Sequence, residues 1–225
     1  MTNESTSGTF LDDHSRATLE CAMARIIPTD HDPGAREART IDFLDRYLSG
    51  VGYIWAKPDG SGFVELRGKD RDIWAARVEA DREAYLEGVA ELDRQSHDRF
   101  GLPFRDLDDA QQDTILTHIG GEPGVDPLSD PSNEIREEFH WPGERVQGIS
   151  SESGAVRARA FFDMLVLHTR EGFLSDPIYG GNRELSGWKT IGFHGPESLA
   201  ESHSGRYSSI PYFADGVMQN RKEQL

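Results

Sequence analysis

Three adjacent residues near the N-terminus, Asp30, His31 and Asp32, have side chains of the types that bind divalent metal ions. Their carboxylate and imidazole groups could share one ion if further ligands came from elsewhere in the chain. Adjacent residues seldom chelate an ion without distant partners, and a turn between two helices commonly collects Asp and Pro, as in TDHDPG. We therefore interpret this stretch as a turn rather than a metal site.

Three histidines farther along the chain, His140, His168 and His194, are the other candidates for a metal site. None of them belongs to an HExxH-like motif, which would place two ligands on one helix face. His168 lies in an apolar helical stretch, and this position favours a hydrogen-bonded interior residue. A stand-alone metal-dependent enzyme that uses these histidines is kept as an alternative prediction.

The usual motifs of nucleophilic and nucleotide chemistry do not occur. The single cysteine, Cys21, falls inside a predicted helix near Leu19 and Met23, and no serine occupies a G-x-S-x-G elbow. The chain has neither a P-loop nor a G-x-G-x-x-G motif after a predicted strand. We therefore predict no catalytic residue, no metal and no cofactor in this chain.

The stretch DPIYGGNRELSGWKTIGFHG, residues 176–195, follows neither the period of a strand nor that of a helix. Its paired glycines permit close backbone approach, its Asp and Asn can bond nearby backbone groups, and its proline rigidifies the start. Its aromatic residues are of types favoured at protein interfaces. One interpretation is a partner-binding surface, and the alternative is a loop that covers this protein's own core. The predicted contact residues are Asp176, Pro177, Tyr179, Gly180, Gly181, Asn182, Trp188 and Phe193, with Tyr179, Trp188 and Phe193 as anchors.

Charge is unevenly distributed along the 225 residues. The net charge of −16 argues against binding to nucleic acids or anionic membranes. Residues 157–225 contain eight basic and eight acidic residues and nine of the 21 aromatic residues, so the acidic excess lies in residues 1–156. We predict a single domain with an acidic helical body at 1–156 and a neutral, aromatic-rich interaction region at 157–225. The alternative is that the second region supplies more of the core.

Apolar spacing predicts helices over 15–27, 36–49 and 69–97, the last with an acidic, solvated face that includes Asp81 and Asp93. A further helix is predicted with Asp106 as its N-cap and Ile119 near its end.

The remaining predicted elements are a loop, a connection and one more helix. Residues 53–66 predict a small hairpin or a loop of that shape, and residues 120–154 predict a long connection. A helix over 155–173 is apolar around much of its circumference, which predicts a position in the centre of a bundle or between two layers, and Gly172 is its predicted cap. The predicted fold class is mainly α: an irregular helical bundle with at most a small β-hairpin and a long glycine-rich C-terminal loop region.

Three stretches resemble the gluconate 2-dehydrogenase subunit 3 family, the small subunits of membrane-associated sugar and polyol dehydrogenases. They occur in the family's order and span most of the chain, and the third is the most specific. The stretches are TLECAMARIIPTDHDPGAREARTIDFLDRYLSG (18–50), LDRQSHDRFGLPFRDLDDAQQDTIL (92–116) and FFDMLVLHTREGFLSDPIYGGNRELSGWKTIGFHGP (161–196).

The resemblance implies a non-catalytic small subunit that binds and stabilises or matures a large oxidoreductase of the glucose–methanol–choline type. That partner carries FAD and oxidises an alcohol carbon of a sugar, glycoside or polyol. The resemblance leaves a cytochrome c subunit open as a further partner. A transient assembly chaperone, released once the large subunit has matured, is a second alternative.

For exported members of the family, the resemblance implies a small subunit that carries a twin-arginine signal and helps its large subunit mature and cross the membrane. The N-terminal sequence departs from this pattern. Residues 1–18 contain one arginine, Arg16, and no apolar signal core. No stretch approaches the roughly 18 apolar residues of a membrane span. We therefore expect a cytoplasmic complex without direct membrane insertion; a periplasmic location would require a removed signal or an exported partner.

Overall fold

The computed structural model describes residues 9–120, 154–193 and 195. These residues form α1 (Asp13–Ile26), α2 (Thr40–Ser49), α3 (Gly68–Phe100), α4 (Asp109–Gly120), α5 (Gly154–Leu174) and α6 (Ser186–Thr190). The predicted mainly α fold is confirmed. The region predicted as a hairpin is a loop of that shape, in which one isolated antiparallel bridge joins Ala56 and Phe63. None of the helices in these ranges combines the length and the apolar character of a membrane span.

The helix ends follow local capping chemistry. Helix α1 begins where the Asp12 carboxylate accepts a hydrogen bond from the Ser15 backbone N–H at 2.7 Å. Helix α3 ends at Gly101, which has a φ of 76° and suits the left-handed C-cap. The predicted helix over 36–49 starts only at Thr40, because the preceding residue, Arg39, has a left-handed φ of 57°.

Two predicted caps are wrong. Helix α4 starts at Asp109 rather than after Asp106, because Asp108 and Gln111 form a reciprocal capping box. The Gln111 N–H donates to the Asp108 carboxylate at 2.9 Å, and the Asp108 N–H donates to the Gln111 side chain at 3.2 Å. Gly172 lies inside α5, which continues to Leu174. There the missing side chain lets Phe43 of α2 pack closely against α5.

Helix α5 lies at the centre of the bundle, as its apolar circumference predicts, and packs against α1, α2, α3, α4 and α6. Phe161 and Leu165 are buried in the core. Gly88 of α3 faces the ring of Phe161, so any side chain at this glycine would overlap that ring. Part of the aromatic content of residues 157–225 therefore belongs to the core.

Two acids that were predicted to lie on the solvated face of α3, Asp81 and Asp93, connect α3 to other parts of the protein. The Asp93 carboxylate accepts a hydrogen bond from the Phe104 backbone N–H at 2.9 Å and lies 2.5 Å from the His14 imidazole. The Asp81 carboxylate accepts a hydrogen bond from the Tyr47 hydroxyl at 2.5 Å. Both carboxylates are largely buried, so the placement of these two residues in solvent is wrong.

Candidate partner-binding surface

The first part of the glycine-rich loop is a short 3₁₀-helix over Pro177–Tyr179. The Asp176 carboxylate caps it by accepting a hydrogen bond from the Ile178 backbone N–H at 2.9 Å. Pro177 occupies the first position, where its fixed φ suits the turn. Gly180 follows with a φ of 110° and passes close to the backbone of Asp42 in α2. This arrangement presents the Tyr179 ring beside α2.

Asn182 organises the second part of the loop. It is fully buried and has a left-handed φ of 48°, which asparagine tolerates better than most residues. Its side-chain amide donates a hydrogen bond to the Ser175 carbonyl at 2.8 Å, and its side-chain oxygen accepts one from the Gly187 N–H at 2.9 Å. Both ends of one amide group therefore hold the loop against the end of α5.

Two glycines bring the loop backbone into contact with that helix end. A side chain at Gly181 would overlap the carbonyl oxygen of Gly172, and one at Gly187 would overlap the carbonyl oxygen of Phe173. Both positions are buried. The loop and α6 therefore form a cover over the C-terminal end of α5.

Trp188, a predicted partner anchor, is only 7% exposed. Its ring meets Phe193 edge-on, with 5.3 Å between the ring centroids. Gly181, Asn182 and Trp188 thus serve this chain's own packing, as the alternative interpretation of the loop expects. The other predicted contact residues, Asp176, Pro177, Tyr179, Gly180 and Phe193, are half-buried. The partner-binding role of all eight residues stays a prediction.

Tyr179 borders a wide groove that sequence reasoning missed. The groove has a volume of about 600 Å³ and is lined mainly by apolar and aromatic side chains. It is formed by Phe43, Tyr47, Tyr53, Ile54, Trp74, Leu167, Arg170, Glu171, Leu174, Ser175 and Tyr179. We call this feature the aromatic groove.

Large apolar side chains are exposed at the edge of the aromatic groove. Leu167 is 49% exposed, and Leu174, two turns farther along the same face of α5, is also exposed. Trp55 is exposed to the same extent as Leu167 and packs edge-on against Trp74, with 6.0 Å between their ring centroids. Contiguous exposed apolar surface of this kind commonly marks a site of interaction.

A buried polar cluster lies beneath the aromatic groove. The Tyr85 hydroxyl and His168 Nδ1 are hydrogen-bonded at 2.9 Å, which confirms the interior position predicted for this histidine. Burial lowers the pKa of His168 to about 4, and the positive charge of Arg77 adds to this effect. Burial also raises the pKa values of Asp81 and Glu171. The cluster favours a neutral His168 at neutral pH, which suits a structural role.

The Asp30, His31 and Asp32 side chains do approach one another. Both imidazole nitrogens lie 3.3 Å from a neighbouring carboxylate oxygen, and the three candidate ligand atoms lie within 4.8 Å. The histidine is almost fully exposed, and no fourth Asp, Glu, His or Cys of the described residues joins this group. His140 and His194 lie outside the described residues. Of the three histidines of the alternative metal site, only His168 is described, and it is hydrogen-bonded to Tyr85.

Comparison with family models gives one decisive match. The model described as gluconate 2-dehydrogenase subunit 3 matches residues 13–195. The chain belongs to this family. Comparisons with curated proteins and with solved structures gave no significant match.

The match to gluconate 2-dehydrogenase subunit 3 starts at the first residue of α1 and ends beyond α6. It therefore includes every residue that lines the aromatic groove and the described part of the glycine-rich loop. The family name refers to a subunit of a multi-subunit oxidoreductase. This subunit 3 relationship is the strongest basis for a functional proposal.

Proposed function

We propose that this chain is a non-catalytic small subunit that binds and stabilises, or matures, a large FAD-dependent oxidoreductase of the glucose–methanol–choline type. The large subunit oxidises an alcohol carbon of a sugar, glycoside or polyol. The observation that carries the proposal is the family match over residues 13–195. The proposal places the complex in the cytoplasm and leaves a cytochrome c subunit open as a further partner.

Two features of the chain support an accessory role. The aromatic groove offers exposed apolar surface, which association with another protein would remove from water. His168, which lies beneath the groove, is buried and hydrogen-bonded to Tyr85 rather than directed into open space. The chain is therefore better suited to contact a catalytic partner than to supply catalytic groups.

In this proposal FAD is held by the large subunit, where it supplies the acceptor for the electrons of the alcohol. Dinucleotide folds bind the pyrophosphate at a glycine-rich turn between a strand and a helix. The glycine-rich loop after α5 instead joins helical segments, and Gly181 and Gly187 pack directly against the backbone at the end of α5. This arrangement supports a contact function for the chain rather than flavin binding.

Purification of the tagged full-length chain from its source organism tests the proposal directly. We expect a stoichiometric flavoprotein, recognised by its flavin absorbance and by mass spectrometry, that oxidises gluconate or another sugar or polyol. When the flavoprotein is expressed without this chain, its yield and Tm should fall. Equal yield, Tm and activity without the chain would contradict the proposal, as would sugar oxidation by the isolated chain.

Two further measurements separate the alternatives. Size-exclusion chromatography of the active enzyme should retain the small chain in the complex, whereas a transient chaperone would be missing from it. Metal analysis of the purified chain addresses a stand-alone metal enzyme. A stoichiometric ion, lost together with activity when His168 is replaced, would favour that alternative.

A further inference from the structure

The aromatic groove has a fixed shape before any partner binds. The Arg46 guanidinium donates a hydrogen bond to the Ile178 carbonyl at 2.7 Å, which joins α2 to the loop. The Tyr179 hydroxyl accepts one from the Ala56 N–H at 3.2 Å, which joins the loop to the bridge region. Because these groups are already positioned, binding in the groove requires little ordering of its walls.

The charges around the groove differ from those of the chain as a whole. Arg46 lies over the Tyr53 ring and Arg77 over the Trp74 ring, at 5.9 Å and 5.1 Å from the ring centroids. Arg170 is exposed in the groove wall, and its guanidinium forms no ion pair or hydrogen bond within the described residues. A chain of net charge −16 therefore presents a cationic group beside its exposed apolar groove.

Among the described residues, neither acid at the groove forms an ion pair with Arg170. Glu171 lines the groove with its side chain about half exposed, and its carboxylate lies 4.0 Å from the His168 imidazole. Asp81 is bonded to Tyr47 beneath the groove. An incoming carboxylate would find in Arg170 a planar donor that suits bidentate pairing.

We propose that the aromatic groove receives an apolar segment of the large subunit that carries an adjacent Asp or Glu, with the carboxylate paired to Arg170. This inference rests on the proposed function and adds the contact surface and the chemistry of its occupant. Apolar side chains of the segment cover Leu167, Leu174 and Trp74, and the acid fixes the orientation.

A second copy of this chain is a poorer occupant. Two copies would bring together two net charges of −16, and this repulsion opposes association. A small apolar molecule would fill the groove but leave the adjoining Trp55 and Val64, which are both exposed, uncovered. A protein segment covers the groove and the adjoining surface together.

The test uses the full-length chain and the flavoprotein that co-purifies with it. Leu167→Gln and Arg170→Glu change the groove on the exposed face of α5. Their matched controls are Leu86→Gln, at an α3 position that is 52% exposed, and Arg99→Glu, at an exposed position in the last turn of α3. We expect the groove variants to weaken binding by roughly tenfold or more in Kd. The controls should leave Kd unchanged, and all four variants should keep the wild-type Tm.

The charge pairing has its own measurement. Reversal of the partner's acidic residue to Lys should restore binding to the Arg170→Glu variant while weakening binding to the wild-type chain. If no acid of the flavoprotein gives this exchange, the proposed carboxylate contact is refuted.

The remaining outcomes separate this inference from the proposed function. If the flavoprotein binds Leu167→Gln and Arg170→Glu as tightly as the wild-type chain, the groove is not the contact surface although the subunit role stands. If no flavoprotein binds the wild-type chain, the proposed function fails and the inference fails with it. If sedimentation shows that Leu167→Gln converts a dimer of the isolated chain to a monomer, the occupant is a second copy.

Discussion

The indole N–H of Trp188 donates a hydrogen bond to the carbonyl oxygen of Leu174 at 2.7 Å. This bond joins α6 to the last residue of α5 and satisfies a carbonyl that the end of a helix leaves without an intrahelical partner. A side chain at Gly195 would overlap the indole, so the chain also passes closely over the ring. Trp188 therefore fixes the path of the loop back over the core.

Replacement of Trp188 should chiefly reduce folding stability. We expect Trp188→Ala to lower the free energy of unfolding by about 3 to 5 kcal/mol, because it leaves a cavity. Trp188→Phe keeps most of the volume but loses the bond to Leu174, at a cost of about 1 kcal/mol. Urea denaturation measures both effects. Ile191→Ala, at an exposed position, should stay within about 0.5 kcal/mol of the wild type. A Trp188→Ala variant of wild-type stability would contradict this view of the ring.

Gly187 should tolerate no side chain. We expect Gly187→Ala to cost about 2 kcal/mol or more, because its methyl group would overlap the Phe173 carbonyl and displace α6. Displacement would also expose Trp188, so a red shift of tryptophan fluorescence and faster proteolysis within the loop should accompany the loss. Gly52 is the matched control, since a side chain there would meet no atom within 4 Å. Equal effects of the two substitutions would refute the close contact between the loop and α5.

His168 should make the protein less stable as the pH falls. Its pKa is about 4 in the folded protein against an ordinary value of 6.5, so between these values only the unfolded chain takes up the proton. The free energy of unfolding should therefore fall as the pH decreases from 6.5 to 4 and level off below that range. The loss from this residue is about 3 kcal/mol.

Neighbouring groups of His168 also change the pH dependence of stability, so the effect of His168 is measured by comparing a His168 variant with the wild type. Burial raises the pKa values of Asp81 and Glu171, so these acids change stability in the opposite sense and stabilise the fold as they become protonated. Tyr85 and Tyr47 lie close by, and burial raises the pKa values of both hydroxyls, so they stay neutral in this range. Urea denaturation at several pH values should give a flatter profile for His168→Gln than for the wild type. Parallel profiles would show that His168 does not carry the effect.

Asp45 should hold the N-terminal segment on the bundle. Its buried carboxylate accepts hydrogen bonds from the backbone N–H groups of Phe10 and Leu11 at 2.9 and 3.0 Å and pairs with Arg16 at 2.9 Å. We expect Asp45→Ala to cost about 3 kcal/mol, because it leaves the two backbone N–H groups without their acceptor and leaves Arg16 with Asp42 as its remaining partner. Hydrogen exchange should accelerate at the two amides. Asp98→Ala, at an exposed position, is the control, and unchanged exchange in Asp45→Ala would contradict the prediction.

The helices could be predicted because their signals are local. The positions of Leu44 and Leu48 on one face of α2 depend only on their spacing along the helix. The errors at helix ends have the same local origin. Asp106 and Asp108 offer the same capping group, and only the interaction of Asp108 with Gln111 distinguishes them.

The loop could be predicted as an ordered feature but not as a set of contacts. The positive φ of Asn182 and the close approach of Gly187 to Phe173 depend on where the end of α5 lies, which no local pattern reveals. The same aromatic composition suits an interface and a core, so the burial of Trp188 became evident only in the folded structure.

The aromatic groove is the largest feature that sequence reasoning missed. Phe43, Tyr53, Trp74, Leu167 and Tyr179 come from five separate segments and share no spacing. Each residue alone is typical of a helix face or a turn. The apolar circumference of α5 predicts burial on every side, so the 49% exposure of Leu167 became evident only in the folded structure.

The central position of α5 has a consequence for biosynthesis. During translation α1 to α4 leave the ribosome before the helix that they surround, so the surfaces that pack against α5 lack this central partner until residue 154 and its successors emerge. The nascent chain must keep residues such as Leu44, Leu92 and Ile115 from aggregating over that interval. A ribosome stalled before α5 should therefore carry a chain that holdase chaperones bind strongly, and release from them should coincide with the synthesis of residues 154–174.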